Sequence, residues 1–218
     1  TVNNAGLVTA VAAGTCDIIY TITGGCNGPV SAFQTITVDP NSAVGSVTGT
    51  TPLCIGATAT YSANAVVLSG GTGAWSSSNV LVATVNSTTG LVTAVSAGTC
   101  NIIYTVTGGC NGPASAQQSL TVTPNSAITS VTGGTSPLCI GATTTCTANG
   151  IVLGGGTGAW SSSNSGVATV DNAGVVTAQG AGTCDIIYTI TGGCNGPVSA
   201  FQSITVTPNS SITSVTGT

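Results

Sequence analysis

A Gly-Thr-Cys triplet recurs at Cys16, Cys100 and Cys184, 84 residues apart each time, and most other landmarks keep that register. Gly-Gly-Cys returns at Cys26, Cys110 and Cys194, and a Thr-Val-Asp/Thr-Pro ending returns at Pro40, Pro124 and Pro208. A period this long marks an array of whole domains, each able to bury its own core, because solenoid rungs repeat every ~20–45 residues. Tryptophan occurs once per full unit, at Trp75 and Trp160, and is missing from residues 1–40. The chain therefore reads as the C-terminal half of one repeat (1–40), two complete repeats (41–124 and 125–208) and the first strand of another (209–218). That is the organisation expected of a segment of a longer polypeptide.

Chemistry is bounded by what the chain lacks. A soluble domain of this length would carry roughly fifty charges; here there are four, Asp17, Asp39, Asp171 and Asp185, and no Lys, Arg, His, Glu or Met. Without cations nothing neutralises phosphates, which argues against nucleic-acid partners and against attraction to anionic membranes. Serine is abundant, but no His or Lys is present to activate it, so no enzyme is expected. The same scarcity argues against a metal site or a cofactor. Disordered chains combine low hydrophobicity with high net charge. This one is 41% hydrophobic with a net charge of −4, and should fold. No apolar run approaches the ~20 residues of a membrane span. Nine cysteines, most at fixed places in the repeat, suit an oxidising compartment outside the cell.

Short β-branched runs separated by Gly-rich turns predict about seven strands per unit and no helix, the pattern of an all-β sandwich. In the repeat 41–124 the runs are Thr58–Ala63, Ala74–Ser78, Val82–Val85, Leu91–Val95, Cys100–Val106 and Ala116–Val122, preceded by a first strand equivalent to the one ending at Val131 in the next unit. Period-two alternation places Cys100, Ile102, Tyr104 and Val106 on one face, which is the expected core face. Trp75 is expected against it, as are Trp160, Ile186 and Tyr188 in the second repeat. The loops Ser69–Ala74 and Gly154–Ala159 read as tight turns, or alternatively as a shallow binding edge beside the tryptophans.

Few residues separate the last strand of one repeat from the first of the next, and a proline fixes one φ angle there. A stiff head-to-tail rod is expected. Each complete repeat holds three recurrent cysteines: Cys54, Cys100 and Cys110, then Cys139, Cys184 and Cys194, with Cys146 standing where the first unit has Tyr61. Cys100 and Cys110 lie ~33 Å apart along an extended strand, too far for a disulfide. Cys54 is therefore the pivotal partner, and pairing it with Cys100 is one option, since both can lie near the same end of the sandwich.

Trp75-Ser-Ser-Ser-Asn79, then Val82-Ala-Thr-Val85, Thr89-Gly-Leu-Val-Thr-Ala94 and Gly98-Thr99, resemble the bacterial Ig-like domain of group 2, and the match recurs from Trp160 to Thr183. With Pro52-Leu-Cys-Ile-Gly56 and Gly109-Cys110 the repeats resemble tandem surface repeats of Bacteroidota, in particular those of the giant gliding-motility adhesins exported by the type 9 secretion system. The resemblance implies pairing Cys54 with Cys110 and Cys139 with Cys194, which leaves Cys16, Cys100, Cys146 and Cys184 as buried thiols. It also implies a stalk in a bacterial cell-surface filament. Such a stalk has neighbouring repeats as its immediate partners, reaches polysaccharide or an abiotic surface through a distal tip, and meets the membrane only through a distant anchor or motor. Two further readings stay open: a glycan- or ice-binding module in each repeat, and a self-assembling fibre or surface-layer subunit.

Overall fold

The computed structural model describes residues 1–212 and 214–216. Among these every regular element is a strand, and the chain divides into two compact units. The first comprises Thr1–Thr51, Thr58–Thr93 and Thr99–Leu120; the second comprises Pro52–Ala57, Ala94–Gly98 and Thr121–Thr218.

The first 40 residues supply one hairpin, β1 (Gly14–Ile22) and β2 (Val30–Val38), paired antiparallel from Gly14↔Val38 to Ile22↔Val30. Strands β3 (Ser46–Thr48), β4 (Leu53–Cys54), β5 (Thr58–Thr60), β6 (Ser62–Asn64), β7 (Thr72–Ser77), β8 (Ala83–Val85), β9 (Leu91–Ala94), β10 (Gly98–Thr107) and β11 (Ala114–Thr123) follow. They form sheets β4-β11-β10-β7, β5-β9-β8 and β3-β6. Strands appear where the alternating pattern places them, with the run Thr58–Ala63 divided at Tyr61. The Tyr61 ring occupies the space over Gly49, where a Cβ would fall 2.5 Å from it, and its hydroxyl donates to the Thr50 carbonyl at 2.8 Å.

The second unit shows the sandwich more simply. Strands β12 (Ser130–Gly133), β13 (Leu138–Cys139), β14 (Thr143–Asn149), β15 (Thr157–Ser162), β16 (Ala168–Val170), β17 (Val175–Ala178), β18 (Gly182–Thr191) and β19 (Val198–Thr207) make two four-stranded sheets, β12-β14-β17-β16 and β13-β19-β18-β15. With Cys146 in place of Tyr61, β14 runs unbroken and Cys146 pairs with Gly133. Val131, Cys146 and Val176 from one sheet meet Leu138, Cys184, Ile186, Ile204 and Val206 from the other in a single core. Each repeat also has a strand beyond the expected seven: the two-residue β4 or β13, which runs parallel to the last long strand.

Cys100, Ile102 and Val106 are buried and Tyr104 half-buried, as period-two side chains on one face must be when only that face meets the other sheet. In β18 the same pattern buries Cys184, Ile186 and Ile190. Trp75 is buried and Trp160 half-buried, each edge-on to a tyrosine, Tyr104 at 4.9 Å and Tyr188 at 5.0 Å. The hairpin β1–β2 repeats this sequence without a covering sheet, so Ile22 is 57% exposed where Ile190 is 0% exposed. For the same reason Cys16, expected as a buried thiol, is exposed. Of the segment 209–218, expected as a first strand, Thr213, Gly217 and Thr218 lie outside the described residues, and the described remainder forms no strand.

Candidate functional site

The one covalent cross-link among the described residues joins Cys54 to Cys194, 140 positions apart in the sequence, with the Cα atoms 5.5 Å apart. It lies within the second unit but ties the Pro-Leu-Cys-Ile-Gly segment of one sequence repeat to the Gly-Gly-Cys turn of the next.

The Cys54 side is built by β4. Leu53 buries its side chain and holds the strand parallel to the end of β11, with Leu53 opposite Val122 and Cys54 opposite Thr123. The chain then turns back through an Ala57 N–H bond to the Cys54 carbonyl at 3.0 Å. Gly56 makes that turn possible at φ +84, a conformation that costs side-chain-bearing residues energy.

The Cys194 side is the turn between β18 and β19, clamped by the chain that enters the second repeat. Ser126 donates its N–H to the Cys194 carbonyl at 2.9 Å and its hydroxyl to the Leu153 carbonyl at 2.8 Å, and Cys194 donates to the Gly154 carbonyl at 2.9 Å. Thr123 beside Cys54 and Ser126 beside Cys194 are three residues apart, so the short link between them brings the two thiols together. A Cβ on Gly193 would fall 2.2 Å from the Ser126 hydroxyl and 2.5 Å from the Leu153 carbonyl. Gly193→Ala should therefore displace the turn and leave Cys54 and Cys194 reactive toward maleimide in the otherwise folded protein; the check is alkylation followed by mass spectrometry.

The pairing overturns both earlier alternatives. Cys139 is opposite Thr207 at the far end of β19, whereas Cys194 lies in the turn before that strand begins at Val198. Ten strand residues separate the two places, about 30 Å at ~3.3 Å per residue, against the ~7 Å limit for a disulfide. The same register separates Cys54 from Cys110, so neither Cys54–Cys110 nor Cys139–Cys194 forms. Cys139 and Cys184 do share an end of the sandwich, but β13 and β18 flank β19 on opposite sides, roughly 9.6 Å apart from strand spacing alone. Cys184 points into the core. That rules out Cys139–Cys184 and, by the equivalent topology, Cys54–Cys100. Cys110, Cys139, Cys100 and Cys184 are all free thiols.

Each Gly-rich loop packs one glycine against the Gly-Gly-Cys turn of its own repeat, while Gly70, Thr72 and Ala74 in the first and Gly155, Thr157 and Ala159 in the second are exposed. A Cβ on Gly71 would meet the Thr107 carbonyl at 2.5 Å and the Gly109 nitrogen at 2.7 Å, and Gly156 approaches Thr191 and Gly193 in the same way. A shallow groove of about 280 Å³ is lined by Trp160 and Tyr188 together with Thr145, Ile151 and Ala173. Its volume falls just below the ~300–1,000 Å³ of ordinary ligand pockets. Among the described residues no three His, Cys, Asp or Glu side chains gather as a metal site would require. Nor is there among the described residues a helix long and apolar enough to cross a membrane.

Burial raises the Tyr61 hydroxyl pKa above its usual value near 10, with a smaller push from Cys100, and burial raises the Cys146 thiol pKa above 9.0. Both groups are neutral when folded, and the unfolded chain ionises first as pH rises. Their contribution is thus intact below the unfolded pKa values and is lost above them. Denaturation midpoints should fall from about pH 9 in the second unit, through Cys146, and from about pH 10 in the first, through Tyr61. Urea titrations between pH 7 and 11 read this, and Cys146→Ala should remove the earlier component.

Residues 32–115 match the bacterial Ig-like domain (group 2) family, a stretch equal in length to one sequence period. The chain carries an Ig-like repeat. No curated protein is a recognisable relative of it. Among solved structures the Ig-like chain is similar to mouse cadherin-23 EC22-24 at 12% identity and TM-score 0.44, covering 89% of this chain and 74% of that one. It is similar to surface layer protein SbsC domains 1-6 at 14% identity and TM-score 0.35, covering 97% and 37%. Protocadherin gamma B2 extracellular cadherin domains 3-6 gives 15% identity and TM-score 0.43, covering 83% and 57%. The chain thus spans less than two thirds of the length of the second and third of these.

Proposed function

We propose that this chain is a tension-bearing stalk segment of an extracellular bacterial adhesin, in which Ig-like repeats arranged as a stiff rod hold a distal binding tip away from the cell. The Cys54–Cys194 bridge is the observation that carries this reading: it spends the one strong covalent device in the sequence on tying successive repeats together. The absence of Lys, Arg, His and Glu, which leaves no ordinary acid–base pair for catalysis, supports it. Attachment to polysaccharide or abiotic surfaces, and a place in gliding motility with type 9 export, are the finer form of the same proposal, supported by the sequence resemblance alone.

Single-molecule stretching of the oxidised chain tests the stalk reading. Residues 55–193 lie inside the bridge and cannot extend until it is reduced. Reduction should release about 46–50 nm of additional length at ~3.3–3.6 Å per residue. Rupture in both states at the low forces of an unstructured chain would count against a load-bearing role. For the finer form, antibodies to the chain should label intact cells and reduce their attachment. The groove beside Trp160 and Tyr188 favours a second reading, a glycan-binding repeat. Glycan-array binding that is lost in Trp160→Ala would support the second reading over the first.

A further inference from the structure

The free cysteines fall into two groups, and the division is informative. Cys100, Cys146 and Cys184 are buried in cores. Cys16, Cys26, Cys110 and Cys139 are exposed. Cys16 is the β1 counterpart of the buried Cys100 and Cys184, and each of the other three occupies a place equivalent to one end of the observed bridge. Cys139 follows a buried leucine on β13 and lies opposite Thr207, as Cys54 follows Leu53 on β4 and lies opposite Thr123. Cys110 accepts through its carbonyl from the Ser42 N–H at 3.0 Å, as Cys194 accepts from Ser126 at 2.9 Å. Gly109 crowds the Ser42 hydroxyl and Leu68 carbonyl as Gly193 crowds Ser126 and Leu153. Cys26 closes the corresponding Gly-Gly-Cys turn between β1 and β2.

We propose that Cys139 and Cys110 are the two unfilled halves of the same clasp: Cys139 bonds the Gly-Gly-Cys cysteine of a following repeat, and Cys110, like Cys26, receives the Pro-Leu-Cys cysteine of a preceding one. Every repeat then gives one sulfur forward and takes one from behind. Cys139 lies inside the loop closed by Cys54 and Cys194, so successive loops overlap and no repeat is outside the covalent network. The inference does not depend on adhesion or motility; it follows from two equivalent seats and one filled example.

Each new bond needs two thiols to lose two protons and two electrons. An exported dithiol–disulfide oxidant supplies the chemistry. The Cys139 thiolate attacks the oxidant's disulfide and expels one of its thiolates. The incoming Gly-Gly-Cys thiolate then attacks the Cys139 sulfur of the mixed disulfide and expels the second, so the oxidant leaves as a dithiol carrying both electrons.

The test uses the oxidised 218-residue chain and a lengthened form in which residues 125–208 are repeated once directly after Pro208, the added copy carrying Cys139→Ser, so that only the original Cys139 can label, and the exposed Ser199→Thr, which gives the added Cys194 peptide a mass of its own. Both are labelled with maleimide while folded, then digested with pepsin, because the chain offers trypsin no Lys or Arg. In the first chain Cys16, Cys26, Cys110 and Cys139 should label and Cys54 and Cys194 should not. In the lengthened chain Cys139 should lose its label and appear in a cross-linked peptide with the added copy of Cys194. Cys139→Ser at the original position of that chain as well should return the label to the added cysteine alone, leaving Cys54–Cys194 intact. Persistent labelling of Cys139 in the lengthened chain, or a Cys139–Cys194 peptide from within one repeat, would overturn the proposal.

Discussion

Cys54→Ser or Cys194→Ser should lower the unfolding free energy of the second unit by about 4–5 kcal/mol, near the top of the range for native disulfides. The loop it closes spans 140 residues, and the conformational freedom a cross-link removes from the unfolded chain grows with the logarithm of loop length. Urea unfolding followed by Trp160 fluorescence, with and without reductant, measures the effect. Reductant should destabilise the parent chain by the same amount and leave the serine variants unchanged. An equal response to reductant in parent and variant would mean that the bridge is not what holds this region.

Ile186→Ala should cost about 2–5 kcal/mol, whereas Ile187→Ala should cost under about 1.5 kcal/mol. The two are neighbours of the same residue type and size. Ile186 is wholly buried between the sheets, so its loss removes apolar contact and leaves a cavity; Ile187 is on the other face of β18 and only partly covered. Chemical denaturation of both variants reads the difference directly. Comparable losses would mean that β18 is shifted by one residue, which would turn every side chain on the strand to the opposite face.

That contrast also explains what the sequence made legible. Alternation over Cys100–Val106 marks the core face because a strand with one buried side must show a period of two, and Asn86–Gly90 marks a turn because Asn and Gly solve local backbone problems. Such signals are contained in a few adjacent residues. Strand β4 is two residues long, too short to alternate, and its partner Thr123 is 69 positions away. Nothing local in Pro52–Gly56 says that it will run parallel to β11 or at which end it will lie. Missing that strand meant missing where Cys54 sits, and the pairing taken from resemblance kept both sulfurs within one repeat. The bridge depends instead on Thr123 and Ser126 being almost adjacent in the chain, a detail that becomes informative only once their partners are known. Exposure of Cys16 was hidden for a related reason: its strand is like β18 in sequence, but burial is conferred by the opposing sheet.

The parallel placement of β13 beside β19 has a mechanical meaning. Were the proposed stalk pulled, load entering the second repeat at Ser126 and Cys194 would reach one end of β19, and load leaving through Thr207, or through Cys139 once it is bonded as proposed, would depart from the other. Such a pull would run along the backbone of β19 itself, with the nine residue pairs of its ladder to β18 lying across the line of force and not opened one after another like a zipper.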